Sequence, residues 1–73
     1  MNAEEVLIIF GKNLRKYRKN AGYSIEKLSE KTKINIQYLN KIENGKAKHL
    51  PYYYVFLLAQ AISVKPHDLC DGI

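Results

Sequence analysis

Cysteine is all but missing from this sequence: Cys70 is the only one. An intrachain disulfide is therefore excluded, and a small secreted domain normally needs such bridges, so a reducing, cytoplasmic setting is expected. Long apolar runs are missing too. The longest, YYYVFLLA at residues 52–59, falls far short of the ~20 residues that cross a bilayer, so no membrane partner is expected. The amino-terminal MNAEEVLIIF carries Glu4 and Glu5 where a secretion signal carries lysines, and it does not read as one. No Ser/His/Asp set, paired carboxylates or phosphate-binding glycine loop occurs, so no catalytic role, cofactor or small-molecule ligand is expected. His67 and Cys70 stand three apart, but a tetrahedral zinc site needs two more ligands, so no metal is expected either.

Acidic residues are scarce where basic ones crowd. Residues 12–48 hold eleven of the twelve Lys and Arg against three acids (Glu26, Glu30 and Glu43), a net +8 within a chain of net +5. Lys65 stands against Glu4, Glu5, Asp68 and Asp71 in the flanks. A basic centre with acidic ends suits an anionic polymer bound on one side. A merely soluble basic surface would have the same composition, so charge alone does not decide.

What is present is helical. With 73 residues there is room for one domain and a small core. Ala3, Leu7, Phe10, Leu14, Tyr17 and Ala21 recur at alternating spacings of four and three, the apolar stripe of an amphipathic helix, and Gly22 suits its left-handed cap. Ser24 can cap a second, short helix with Ile25, Leu28 and Thr32 facing inward. Asn35 can cap a third, which puts Ile34 and Leu39 at the two positions of a hydrophobic staple. That helix runs to about Asn44 and is closed by Gly45. After the basic loop KAKHL, Pro51 suits the first turn of a fourth helix, with Val55, Leu58, Ala59 and Ile62 as its buried stripe. KPHDL starts a short fifth helix with Leu69 facing inward. The expectation is an all-α, five-helix domain over residues 1–73.

The stretch KINIQYLNKIENG at residues 33–45 carries an unusual outer face: Ile36, Gln37, Asn40, Lys41 and Asn44. A solvated face would be dense in Lys and Glu, whereas short amides donate and accept hydrogen bonds at once. Two short helices joined by a tight turn, with such a face on the second, form a helix-turn-helix over about residues 24–44. In a DNA major groove the amides of Gln and Asn pair with adenine, Lys41 reaches guanine or phosphate, and Ile36 suits a thymine methyl group. Tyr38 can either pack on the second helix or touch the DNA backbone.

From FGKNLRKYRKNAGYSIEKLSEKTKINIQYLNKIENG to LAQAISVKPHDL, the chain resembles the phage lambda repressor/Cro-like helix-turn-helix family. The matching features are LRKYRK, the YS that opens the second helix, Leu28, the Ile34, Leu39 and Ile42 set, IENG, and LAQAI. The resemblance implies sequence-specific binding of double-stranded DNA and regulation of transcription, in the manner of a dimeric repressor. Base contacts are expected from Asn35, Ile36, Gln37, Asn40 and Lys41, and backbone contacts from Ser24, Asn44, Lys46 and Lys48. The resemblance also implies a largely buried pair between Arg18 and Glu43. Three positions depart from the family pattern: Ile25 replaces a common Gln, Ser29 a small Ala, and Lys33 the usual turn Gly.

Tyr53 and Leu57, four apart, should face outward from the fourth helix, and a patch this aromatic suits a partner. With Leu69 and Ile73 they make the expected homodimer surface. The rival from another class is a protein-interaction module that uses the same fold, antitoxin-like, to hold a protein.

Overall fold

An asparagine starts the first helix, a cap that the apolar stripe does not announce. In the computed structural model, which describes residues 1–73, the Glu5 amide donates to Asn2 Oδ1 at 2.9 Å and α1 runs Ala3–Asn20. Glu4 and Glu5 in its first turn and Arg18 and Lys19 in its last complement the helix dipole. Gly22 follows with φ +77°. The second helix, α2, spans Ile25–Thr32 behind Ser24, whose Oγ accepts the Lys27 amide at 3.1 Å. The third, α3, spans Ile36–Glu43 behind Asn35, whose Oδ1 accepts the Tyr38 amide at 2.7 Å. Helices α4 (Tyr52–Ala61) and α5 (Pro66–Leu69) complete an all-α chain with no strand. No helix is long and apolar enough to cross a membrane.

The core is built from one leucine per helix. Leu14, Leu28, Leu39, Leu58 and Leu69 come from α1 to α5 in order, and all five are sealed from solvent. Burying such a side chain is worth about 1.5–3 kcal/mol. Ile34 and Leu39 are both buried where the staple puts them, ahead of and within the first turns of α3.

Several details differ from the sequence reading. Ala3 and Ala21 are exposed because they lie at the ends of α1, beyond the reach of the other helices, and only Phe10 and Leu14 of that stripe are fully buried. Pro51 is the residue before α4 rather than part of its first turn. Val55 is half-buried, and Ala47, inside the basic loop, joins the core instead. Leu69 is 0% exposed. It is consumed by α5's seat on the core, so it has no surface to offer a partner and drops out of the expected dimer surface; Ile73 remains exposed.

The crossing of α1 over α3 sets the position of everything on α3. At Gly11 the helices approach so closely that a Cβ would lie 2.3 Å from the Ile42 carbonyl oxygen and 2.7 Å from that of Glu43. Neither neighbour is a flexible side chain, so only glycine fits. Gly45 makes a second such contact: it sits at φ +72°, and a Cβ there would lie 2.9 Å from Ile8 Cα. Two glycines thus seat the carboxyl end of α3 on the backbone of α1. Gly11→Ala tests this. In an exposed helix the change stabilises by about 1 kcal/mol, whereas here overpacking of about 1–3 kcal/mol or more should win. The expected result is a lower chemical-denaturation midpoint; a midpoint at or above the parent's would refute the crossing.

Candidate nucleic-acid interface

The turn between α2 and α3 is held by hydroxyls. Lys33 occupies it at φ 65°, a left-handed conformation costing a side-chain-bearing residue roughly 1–2 kcal/mol. Around it, Ser29 Oγ donates to the Ile34 carbonyl at 2.6 Å, Thr32 Oγ1 donates to the Leu28 carbonyl at 2.8 Å, and the Ile34 amide donates to Thr32 Oγ1 at 3.2 Å. The Lys33 amide donates to the Ser29 carbonyl at 2.8 Å. Ser29, where the resembled family has a small residue, is therefore a working part of the turn. Two of the three departures from the family pattern belong to one local solution: a strained lysine at the corner and a serine clamp across it.

At the other end of α3, Glu43 is buried and faces Arg18. Arg18 Nε donates to Glu43 Oε2 at 2.6 Å and Nη2 donates to Oε1 at 3.0 Å, a bidentate fork, while Nη1 donates to the Tyr23 carbonyl at 2.8 Å. One guanidinium thus joins α1, the α1–α2 connection and α3. The hydrogen-bonded Glu43 carboxylate raises the Arg18 guanidinium above its ordinary value, more than burial lowers it. Because the folded value is the higher one, the stabilisation is present in full below the ordinary arginine range. It is lost only as pH rises through the raised value, so Arg18 keeps its charge throughout the neutral range.

Between these anchors α3 presents its outer face. Ile36, Gln37, Asn40, Lys41 and Asn44 are all exposed, on one side of the helix. The side chains of Gln37, Asn40 and Asn44 make no hydrogen bond within the chain, whereas the oxygens of Ser24 and Asn35 are occupied as caps. That difference sorts the polar groups. Ser24 and Asn35 commit part of their acceptor capacity to the caps and keep their donors free, which suit phosphate oxygens. Gln37 and Asn40 keep both donor and acceptor, which a bidentate adenine contact requires.

Lys46 and Lys48, also exposed, follow on the loop after α3, and Ser24 stands at the amino end of α2. Tyr38 is half-buried and packs edge-on against Tyr54 of α4, ring centroids 5.9 Å apart at 77°. Its ring meets α4, a contact that nothing in the local sequence announced. On α4, Tyr53 and Leu57 face outward as expected; Phe56, 56% exposed, joins them and was missed. Its i, i+3 spacing from Tyr53 is the signal that would have found it.

Residues 11–65 match the family model described as "Helix-turn-helix domain". The chain is 29% identical over 63 residues to the HTH-type transcriptional regulator SinR of Bacillus subtilis (strain 168), a match covering 86% of this chain and 57% of that protein. It thus spans little more than half the length of that curated relative. Among solved structures, the restriction-modification controller protein C.AhdI from Aeromonas hydrophila superposes with a TM-score of 0.80 at 28% identity, covering 86% of this chain and 94% of that one. The clp gene regulator ClgR from C. glutamicum gives a TM-score of 0.81 at 22% identity, covering 88% and 82%, and shows the fold alone. The lambda repressor/Cro-like resemblance read from the sequence stands.

Glu43→Ala is the direct test of the anchor. Removing one partner of a buried pair costs about 3–5 kcal/mol because the other charge is left uncompensated. In a domain this small that approaches the whole stability, so the variant should be largely unfolded or melt far below the parent. Circular dichroism showing a melting point within a few degrees of the parent would sink the assignment.

Proposed function

The chain belongs to the helix-turn-helix domain family, and from that premise we propose that it binds double-stranded DNA sequence-specifically and regulates transcription in the cytoplasm as a dimeric repressor. The observation that carries the reading is the free, two-sided amides of Gln37 and Asn40 on an α3 clamped at both ends. The major groove, about 12 Å wide, admits one such helix. Ile36, Gln37, Asn40 and Lys41 meet base edges. Ser24, Asn35, Asn44, Lys46 and Lys48 hold phosphates and set the register. Tyr38 contributes by packing, with its hydroxyl at the margin of the backbone contact.

The dimer follows from geometry. One α3 reads a handful of base pairs, and two related by a twofold axis read half-sites about 34 Å apart. Helices α1 to α3 are engaged in the core and the DNA side, which leaves the outer face of α4. Tyr53 (52% exposed), Phe56 and Leu57 (36%) form an apolar patch there, with Ile73 also exposed. An isologous contact brings each patch against its own copy.

The competing role as a protein-binding module is separated by salt. DNA binding through several phosphates releases counterions and weakens steeply as salt rises. Selection of sites from random duplexes tests specificity and reveals half-site symmetry together.

Two sets of variants divide the labour. Gln37→Ala should relax preference at one base pair at a cost of about 1–3 kcal/mol, while Lys46→Ala should weaken all sequences alike and flatten the salt slope by roughly one. Equal binding of specific and random duplexes by Gln37→Ala and the parent would refute the groove assignment. Tyr53→Glu combined with Leu57→Glu should keep the helical spectrum but give monomers with much weaker operator binding. Sedimentation showing the parent monomeric at high concentration, alone and on DNA, would defeat the dimer.

A further inference from the structure

Ile36 is the one side chain on the outer face of α3 that cannot make a hydrogen bond. It is the first residue of that helix, is 38% exposed, and is not one of the buried core residues. Asn40 lies one turn further along the same row and Gln37 stands beside it, so Ile36 is an apolar knob set among free amides. Residues at the amino end of a recognition helix are those that contact base edges. Most of what the major groove displays is donors and acceptors, and its apolar feature is the methyl group on C5 of thymine. A branched aliphatic side chain placed there gains only where such a methyl is present, and against a bare pyrimidine edge it desolvates without return.

We propose that Ile36 reads the 5-methyl group of a pyrimidine as such, at one position in each half-site. The proposal rests on the DNA-reading role given to α3 above and names what that face requires. A methyl at C5 is not unique to thymine. Cytosine methylated at C5 carries the same group on the same ring carbon, pointing into the same groove. Ile36 therefore distinguishes thymine from uracil and, by the same contact, 5-methylcytosine from cytosine. It has no means of telling thymine from 5-methylcytosine; that distinction falls to neighbouring hydrogen-bonding groups such as Gln37. Where the operator offers a cytosine at this position, methylation of the DNA becomes an input to binding. Asn35 does not take over this function, because its side chain is a polar amide already engaged in capping α3 through the Tyr38 amide.

The test uses the full chain and a duplex recovered by selection from random sequences. Each thymine is replaced in turn by deoxyuridine. At the sensitive pair, the thymine is also exchanged for cytosine and for 5-methylcytosine opposite guanine. Burying one methyl corresponds to about fourfold in affinity, so the parent should weaken by about fourfold on loss of the thymine methyl from one half-site and roughly fifteenfold when it is lost from both. It should regain about fourfold per half-site when cytosine is methylated. Ile36→Ala, a change at an exposed position outside the core, should bind thymine and uracil duplexes equally, and cytosine and 5-methylcytosine duplexes equally. The proposal is overturned if the parent is indifferent to demethylation at every thymine, or if Ile36→Ala retains the parent's discrimination. Failure of the parent to prefer any selected duplex over random DNA is a separate result: it removes the sequence-reading role of α3, and this inference with it.

Discussion

The outer face of α3 has a defined direction only because its carboxyl end is gripped by α1. Gly11 lets the two backbones meet, Gly45 rests on Ile8, and Arg18 closes a bidentate fork on Glu43. A core of single leucines resists separation of the helices but says little about their rotation, since apolar contact is non-directional. The fork is directional. A buried ion pair is weak evidence for stability, because burying the two charges offsets most of their attraction. Its geometry, with a third hydrogen bond to the Tyr23 carbonyl, permits one arrangement of α1, the following turn and α3. At the amino end, the Ser29 and Thr32 hydroxyls fix the turn in the same sense. The two clamps account for how eight residues, Ile36–Glu43, hold a rigid pose in a domain with so little interior.

The distribution of hydrogen-bonding capacity follows from the same economy of size. A cap must spend its oxygen on a backbone amide, and in this chain the caps of α2 and α3 stand beside the proposed contact surface. Ser24 and Asn35 thereby commit part of their acceptor capacity and keep their donors free. The residues one or two turns into α3 have no such duty and keep both kinds of group. Capping and the proposed recognition thus fall to neighbouring residues along the chain.

Much of this was legible in the sequence. Period-3.6 spacing and the capping residues located all five helices, because those signals are local: Ser24, Asn35, Gly22 and Gly45 act within one turn of themselves. The charge asymmetry and the amide-rich face pointed to nucleic acid for reasons that need no coordinates. What escaped notice was set by contacts distant in sequence. Asn13 Nδ2 donates to the Leu69 and Asp71 carbonyls at 2.9 and 2.8 Å, 56 and 58 residues away. Gly11 looks like an ordinary helix-weakening glycine until α3 is seen against it. Ala47 reads as part of a basic loop, yet it is buried. Leu69 was read both as inward and as partner-facing, and α5 is too short to serve both: its one large apolar side chain is needed to seat it.

The three consecutive tyrosines raise a last point about how the two proposed surfaces are joined. Tyr38 of α3 meets Tyr54 edge-on at 5.9 Å, Tyr54 meets Tyr53 at 5.0 Å, and Tyr53 meets Tyr52 at 6.2 Å. Edge-to-face pairs of this kind contribute roughly 0.5–1.5 kcal/mol each beyond area burial, and they constrain angle as well as distance. The ladder therefore runs from the helix proposed to read DNA to the face of α4 proposed to meet a second copy. A dimer that reads two half-sites must hold its two α3 helices at one separation, since an error in either places amides opposite the wrong base pair. Apolar contact in the core is non-directional and permits sliding. Edge-on rings resist it. Tyr54 is the middle rung, half-buried and in contact with both neighbours, so its value lies in transmitting position between two surfaces, neither of which it forms by itself.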